Sequence, residues 1–302
     1  MACLRNKTVE ELNQAFDRKG ETALKTYYNE TETWVPVLDG DFVGVRPSTQ
    51  LALEKYVDVP VIVRSCTDEG TANAPIPGPT DSDNARAYFI ATQAGGYSEL
   101  MDKLMAVYPF SSKFGPPYRI NEGGYEGDLG EVGMTEQYRR LAAYYGDYLF
   151  IAGHRQTCQT WSSHGHPAYC FRFNAQSAGQ PWHIGIKHLQ DVAFVFYNLK
   201  GDGYDAAHNS TQGVNPFEGK PPSYTDPADL MSRSWVSFVH DLDPNSFRAS
   251  GTEFQRVPLW PLYGVDAQQQ LFDADVGTRT ESDDYRSDAI GLINNNSSQR
   301  NR

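Results

Sequence analysis

The stretch VPVIVRSCTDEGT, residues 59–71, runs three β-branched residues together and then stops at an acidic pair and a glycine. An apolar run without alternation reads as a strand over residues 59–65 buried on both faces, which is parallel-sheet character. Open α/β sheets place their chemistry just past the C-terminal ends of such strands. Glu69 stands there, and Gly70 allows a sharp backbone turn beside it. An isolated D-E-G after a strand also fits an ordinary acidic turn, so Glu69 needs partners before it counts as chemistry.

Working outward, residues 168–174, AYCFRFN, read as a second strand, and residues 269–273 as a final short one. Helical patterns cover residues 84–92 and 99–108; Thr135 is placed to cap a third helix, and Asp147 a fourth running toward Trp161. Thr8 and Glu11 have capping-box spacing at the start of the chain, with Val9, Leu12 and Phe16 near one helical face. Asp226-Pro227 opens a long helix, with proline at its first position. Residues 34–43, WVPVLDGDFV, make a short extended piece turned by Asp39 and Gly40. Residues 201–225 form a long loop, and residues 294–302, NNNSSQRNR, a disordered tail. Strands alternating with helices imply an α/β fold, and no internal repeat or linker divides the chain.

The 302 residues are 39% hydrophobic, enough for a sizeable core. Lys plus Arg total 26 against 38 Asp plus Glu, a net charge of -12, which argues against nucleic acid or an anionic membrane as partner. The longest apolar runs fall far short of a membrane span. No signal-peptide pattern opens the sequence, and five N-x-Ser/Thr sequons begin at Asn6, Asn29, Asn209, Asn295 and Asn296.

His188, in GIKHLQDVAFVF, lies in a loop between the strand at 168–174 and an apolar segment. An imidazole there suits a general base, and equally a packed ring beside an aromatic run. Asp191 is placed to steady the loop or cap the helix that follows. Taken together, Glu69 and His188 follow the chain order acid then histidine of hydrolase triads.

His154, Cys158, His164, His166 and Cys170 crowd one region, and His154 and Cys158 are one helical turn apart. Zinc is one reading of this cluster; cysteines packed or joined in a disulfide is the other. The spacing matches no established zinc pattern, which favours the second. Asp241, Asp243 and Asn245 begin like a calcium loop, but Ser246 and Thr252 replace its required glycine and glutamate. The glycines at 124, 127, 130 and 133 are interleaved with acids that would repel a phosphate. No metal or cofactor is expected.

WVPVLDGDFV resembles the P-x-x-DG-x-F segment of type B carboxylesterases, the cholinesterase and fungal lipase family. VPVIVRSCTDEGT is similar to the segment carrying that family's acidic triad member, and GIKHLQDVAFVF to its G-x-x-H-x-x-[DE]-x-x-F-V-F segment. LMAVYP, DPN at 243–245 and WPLY at 260–263 match as well. The resemblance runs from the start of the chain to about residue 275 and implies the C-terminal part of an α/β-hydrolase, a single partial domain lacking its N-terminal half. It assigns the acid to Glu69 and the base to His188, a small-molecule or lipid ester as substrate, and the secretory pathway as location. Arg64 departs from the pattern, where family members usually carry glycine.

The same resemblance implies that the nucleophile, the serine of a G-x-S-x-G elbow, lies in the missing half. No G-x-S-x-G occurs here; AQSAG, centred on Ser177, lacks the first glycine, and Pro181 would disturb the helix an elbow needs. The chain alone is therefore expected to be inactive and to depend on the missing half for folding. Some relatives keep the fold as adhesion or binding proteins, but these lose the catalytic residues, whereas Glu69 and His188 remain.

Overall fold

The computed structural model describes residues 2–17, 38–74, 85–86, 98–110, 115–118, 129–206, 213–251 and 254–296. Four strands, β1 (Val61–Cys66), β2 (Ala168–Asn174), β3 (Gln268–Asp273) and β4 (Arg279–Ser282), form one sheet in the order β1-β2-β3-β4. β1 and β2 are parallel with Val61 opposite Ala168, β2 and β3 are parallel with Phe171 opposite Gln270, and β4 closes antiparallel on β3. Among the described residues β1 is therefore an edge strand, and Val61–Arg64 are half-buried rather than enclosed on both faces. It starts two residues later than residue 59 because Pro60 has no N–H to give; the ladder opens where the Val61 N–H meets the Pro167 carbonyl at 3.0 Å.

Among the described residues the longer helices are α1 (Val9–Asp17), α2 (Ser98–Val107), α3 (Glu136–Gly146), α4 (Ala152–Ser163), α5 (Thr225–Asp241) and α6 (Ser287–Asn295). At the head of α1, the Thr8 N–H and Glu11 carboxylate, and the Glu11 N–H and Thr8 hydroxyl, complete the capping box. Thr135 caps α3 as expected, accepting from the Tyr138 N–H. Asp147 is no cap. A π turn, Asp147–Ile151, joins α3 to α4 without a break, and the Asp147 carboxylate is buried, accepting from Tyr108 Oη at 2.7 Å and Arg286 Nε at 2.8 Å. α5 begins one residue before Asp226, led in by a 3-10 turn at Pro222–Tyr224, with the Thr225 hydroxyl donating to the Pro222 carbonyl.

The tail also differs from its reading. Asn294 and Asn295 close α6, whose Ile290 and Ile293 are buried, and Asn294 Nδ2 donates to the Ala152 carbonyl. An apolar stripe overrides the polar composition. Around Asp39 and Gly40 the turn is present: the Asp39 carboxylate accepts from the Asp41 and Val43 N–H groups, and Gly40 has φ +75. Residues 34–37, most of the helix read at 84–92, and residues 297–302 lie outside the described residues.

Alternate residues of a strand point to opposite faces. Tyr169, Phe171 and Phe173 of β2 join Leu230 and Met231 of α5 in one core; Ala168 and Cys170 join Cys158 and Trp161 of α4 in another. The sheet thus lies between α4 and α5, and α2, α3 and α6 share a further core beside it.

Candidate active site

Past the end of β1 the chain is pinned residue by residue. Thr67 N–H donates to the Phe173 carbonyl at 3.1 Å, continuing the sheet contact for one residue. Asp68 then clasps the loop that carries His188: its N–H donates to the Ile186 carbonyl at 2.9 Å, and its Oδ2 accepts from the Ile186 N–H at 2.8 Å. Oδ1 accepts from the Tyr118 N–H at 3.0 Å. Burial pushes the Asp68 carboxyl up to about 7, although the Ile186 N–H and the charges of Arg172, Arg286 and Arg139 pull the other way. A Cβ at Gly185 would come within 2.9 Å of Asp68 Cγ, and Gly185 has φ +62, so the clasp requires glycine there.

Glu69 follows, with its side chain 1% exposed. Its Oε1 accepts from the Cys66 N–H at 2.7 Å, and its Oε2 lies 2.7 Å from His188 Nδ1. A carboxylate offers only acceptors, so Nδ1 carries the proton and Nε2 keeps its lone pair. The imidazole is 33% exposed and stacks on Phe150, with ring centroids 4.2 Å apart. Phe150 belongs to the π turn between α3 and α4. The chain turns at Gly70 as read, the Thr71 N–H donating to the Asp68 carbonyl, and a side chain there would also strike the Ala142 carbonyl and reach 2.9 Å from Gly146 Cα, so glycine lets the loop lie directly on α3.

Beneath this pair, Arg64 Nη1 meets Asp191 Oδ1 at 2.8 Å. Arg64 sits within β1, and its side chain is held by Asp191. Burial raises the Asp191 carboxyl, opposed by Arg64, and burial likewise raises the Cys66 thiol nearby. Asp191 stands at the head of the short helix Val192–Val195 without a side-chain capping bond, so of its two readings it steadies the loop.

Ser177 is buried past the end of β2, and its N–H donates to Gln190 Oε1 at 2.8 Å. Among the described residues, His188 hydrogen-bonds to Glu69 and not to Ser177. The histidine–cysteine cluster is divided: Cys158 and Cys170 form a disulfide, His164 Nε2 faces Glu54 at 3.0 Å, and His166 Nδ1 faces Asp58 at 2.6 Å. In the loop read against a calcium site, the Asp243 carboxylate accepts from the Asn245 N–H and Asn245 Oδ1 from the Trp260 N–H. A cleft of about 420 Å³ is lined by Thr67, Tyr118, Arg172, Asp273, Arg279 and Arg286, and neither Glu69 nor His188 lines it. The roles of Asp68 and Phe150, and the pairing of Arg64 with Asp191, are what sequence reasoning missed. Only the acidic pair itself gave a local hint, at Asp68.

The chain can be compared with known proteins on this geometry. The profile of the Carboxylesterase family matches residues 1–290. Secreted lipase 4 of Gibberella zeae is 24% identical over 294 residues, covering 96% of this chain and 45% of that protein. Lipase 2 of Diutina rugosa is 27% identical over 303 residues, covering 98% and 46% respectively. The crystal structure of Aspergillus niger EstA superposes with a TM-score of 0.70 at 16% identity, over 99% of this chain and 52% of that one. The fold is that of an α/β-hydrolase, a mostly parallel sheet flanked by helices. The chain spans about half the length of these relatives.

Proposed function

The chain belongs to the Carboxylesterase family, and from that premise we propose that it supplies the acid and the histidine, Glu69 and His188, of a Ser-Glu-His triad that hydrolyses carboxylic esters. The observation that carries this reading is the 2.7 Å contact of His188 Nδ1 with a carboxylate that is buried and held from its other oxygen by the Cys66 N–H. The nucleophile is a serine outside these 302 residues. His188 Nε2 takes the serine proton as the hydroxyl attacks the ester carbonyl, then returns it to the leaving alcohol. Glu69 holds the ring in the required tautomer and stabilises the imidazolium that forms. Phe150 limits the ring's tilt. A lipid or small-molecule ester is the substrate, in keeping with the lipase names of the relatives.

This reading also makes the chain dependent on a serine-bearing complement. β1 is an edge strand, and Leu189 and Phe196, close to His188 in the chain, are 47% and 76% exposed. The Cys158–Cys170 disulfide suits an oxidising compartment, as secretion would provide.

An organophosphate probe tests the first part: it leaves the 302-residue chain unlabelled, and a labelled serine would overturn the assignment. With the complementary half supplied, His188→Ala lowers ester hydrolysis by roughly 10³-fold or more, and Glu69→Gln also lowers it strongly. Unchanged turnover in both variants rejects the triad.

A further inference from the structure

His154 is 7% exposed, and among the described residues neither ring nitrogen has a hydrogen-bond partner. Buried imidazoles almost always find partners, so an orphaned one calls for a reason. The Arg64 carbonyl lies beside the ring and raises its proton affinity, but it does not reach hydrogen-bonding geometry. What the ring does face is sulfur: a nitrogen of His154 and the Sγ atoms of Cys158 and Cys170 all lie within 4.8 Å of one another. His154 and Cys158 come from one face of α4 and Cys170 from β2, so two packed elements hold the three ligand atoms together.

We propose that, when the Cys158–Cys170 disulfide is reduced, these two sulfurs and His154 form a binding site for a divalent zinc ion. In the oxidised protein the sulfurs are bonded to each other and the site is closed. A dithiol reductant supplies two electrons and two protons, breaking the S–S bond, leaving two thiols and becoming a disulfide itself. Zinc then displaces both thiol protons to solvent, and the neutral ring donates a lone pair. Tetrahedral Zn–S bonds of about 2.3 Å set two sulfurs roughly 3.7 Å apart, a separation open to side chains whose Cα atoms are 6.5 Å apart.

Charge and environment favour this ion class. Around the trio are Trp161, Ala168 and Tyr263, with Val61 and Val63 packed against them. Two thiolates with a dication leave no net charge to bury there, whereas a monovalent ion would leave one. Once one nitrogen is ligated the ring keeps a single N–H, and the Arg64 carbonyl beside it is the acceptor the ring would turn toward, the usual support of a metal-bound histidine. One coordination position is left for a water or an external thiol.

The test uses the whole chain with Cys3→Ser and Cys66→Ser, so that the two remaining thiols are those of the site. The protein is reduced with dithiothreitol, desalted without oxygen, checked for two free thiols and for a native circular dichroism spectrum, and titrated with Co²⁺ as a spectroscopic stand-in for zinc. One equivalent gives the thiolate-to-cobalt charge-transfer band and the strong visible bands of a tetrahedral ion, and zinc displaces it. The oxidised protein gives neither, and His154→Ala weakens binding by at least about tenfold. A reduced, folded chain without the charge-transfer band overturns the proposal. So does equal affinity in His154→Ala, or loss of the fold on reduction, since the ligands would then not be gathered.

Discussion

The two faces of the sheet are held by different physics. Toward α5, Phe171 meets Trp235, Trp260 and Phe272 edge-on at centroid distances of 5.2, 5.5 and 5.4 Å, and Phe173 meets Phe194 at 4.8 Å. Toward α4 and α6 the apolar contacts of Trp161 and Ile290 are joined by ion pairs, one of them on the strands themselves. Arg172 grips Glu281 with two nitrogens, Arg155 grips Asp283, and Arg286 grips Asp147. The aromatic face gains its stability from buried area and tolerates small changes of shape. The ionic face depends on fixed partners. Burial pushes the Asp147 carboxyl up and the Arg286 guanidinium down to about 10, both against the charged forms, so the pair persists only while its forked geometry is complete. The loop of Asp68 and Glu69 stands where the two meet: Asp68 is clasped by Ile186 of the aromatic core and lies in the field of Arg172 and Arg286.

The most damaging test of this contrast is Arg286→Met, which strands the Asp147 carboxylate in the interior. A loss of about 3–5 kcal/mol in urea unfolding is expected; under about 1 kcal/mol would erase the distinction between the faces. Phe171→Leu, on the aromatic side, should cost less, about 2 kcal/mol, because neighbouring rings can close part of the gap. A cost equal to that of Arg286→Met would show that both faces are equally exacting.

The third test is a slope. Asp68 is raised from 3.8 to about 7 in the folded protein, so folding favours its protonated form. Its contribution is complete below pH 3.8 and disappears as pH rises through about 7. Across that window Asp68→Asn should flatten a decline of at most about 1.4 kcal/mol per pH unit. Parallel stability curves for wild type and variant between pH 4 and 7 would show that Asp68 does not release its proton there.

Short-range signals were the ones that could be read. β2 has the bounds its aromatic run implies, because strand formation there agrees with burial on both faces. Glu69 and His188 were legible through the resemblance their segments carry, and the geometry brings them together. Asp147 shows the opposite case. An aspartate after a glycine reads locally as a cap, yet its partner Arg286 is 139 residues away. β4 escaped notice because RTES alternates no apolar residues; it forms by pairing with β3. Phe150 gave no sign at all, since stacking on His188 depends on the phase of a helix that sequence periodicity does not resolve.

That phase has a simple origin. A π turn holds one residue more than an α-helical turn of the same rise, and each residue advances a helix by about 100°. Removing a single residue between Asp147 and Ile151 would swing the following side chains around by roughly that angle and carry the benzyl ring off the imidazole. The surface on which His188 rests is thus dictated by one surplus link in the chain, sited immediately after the point where α3 touches the Glu69 loop.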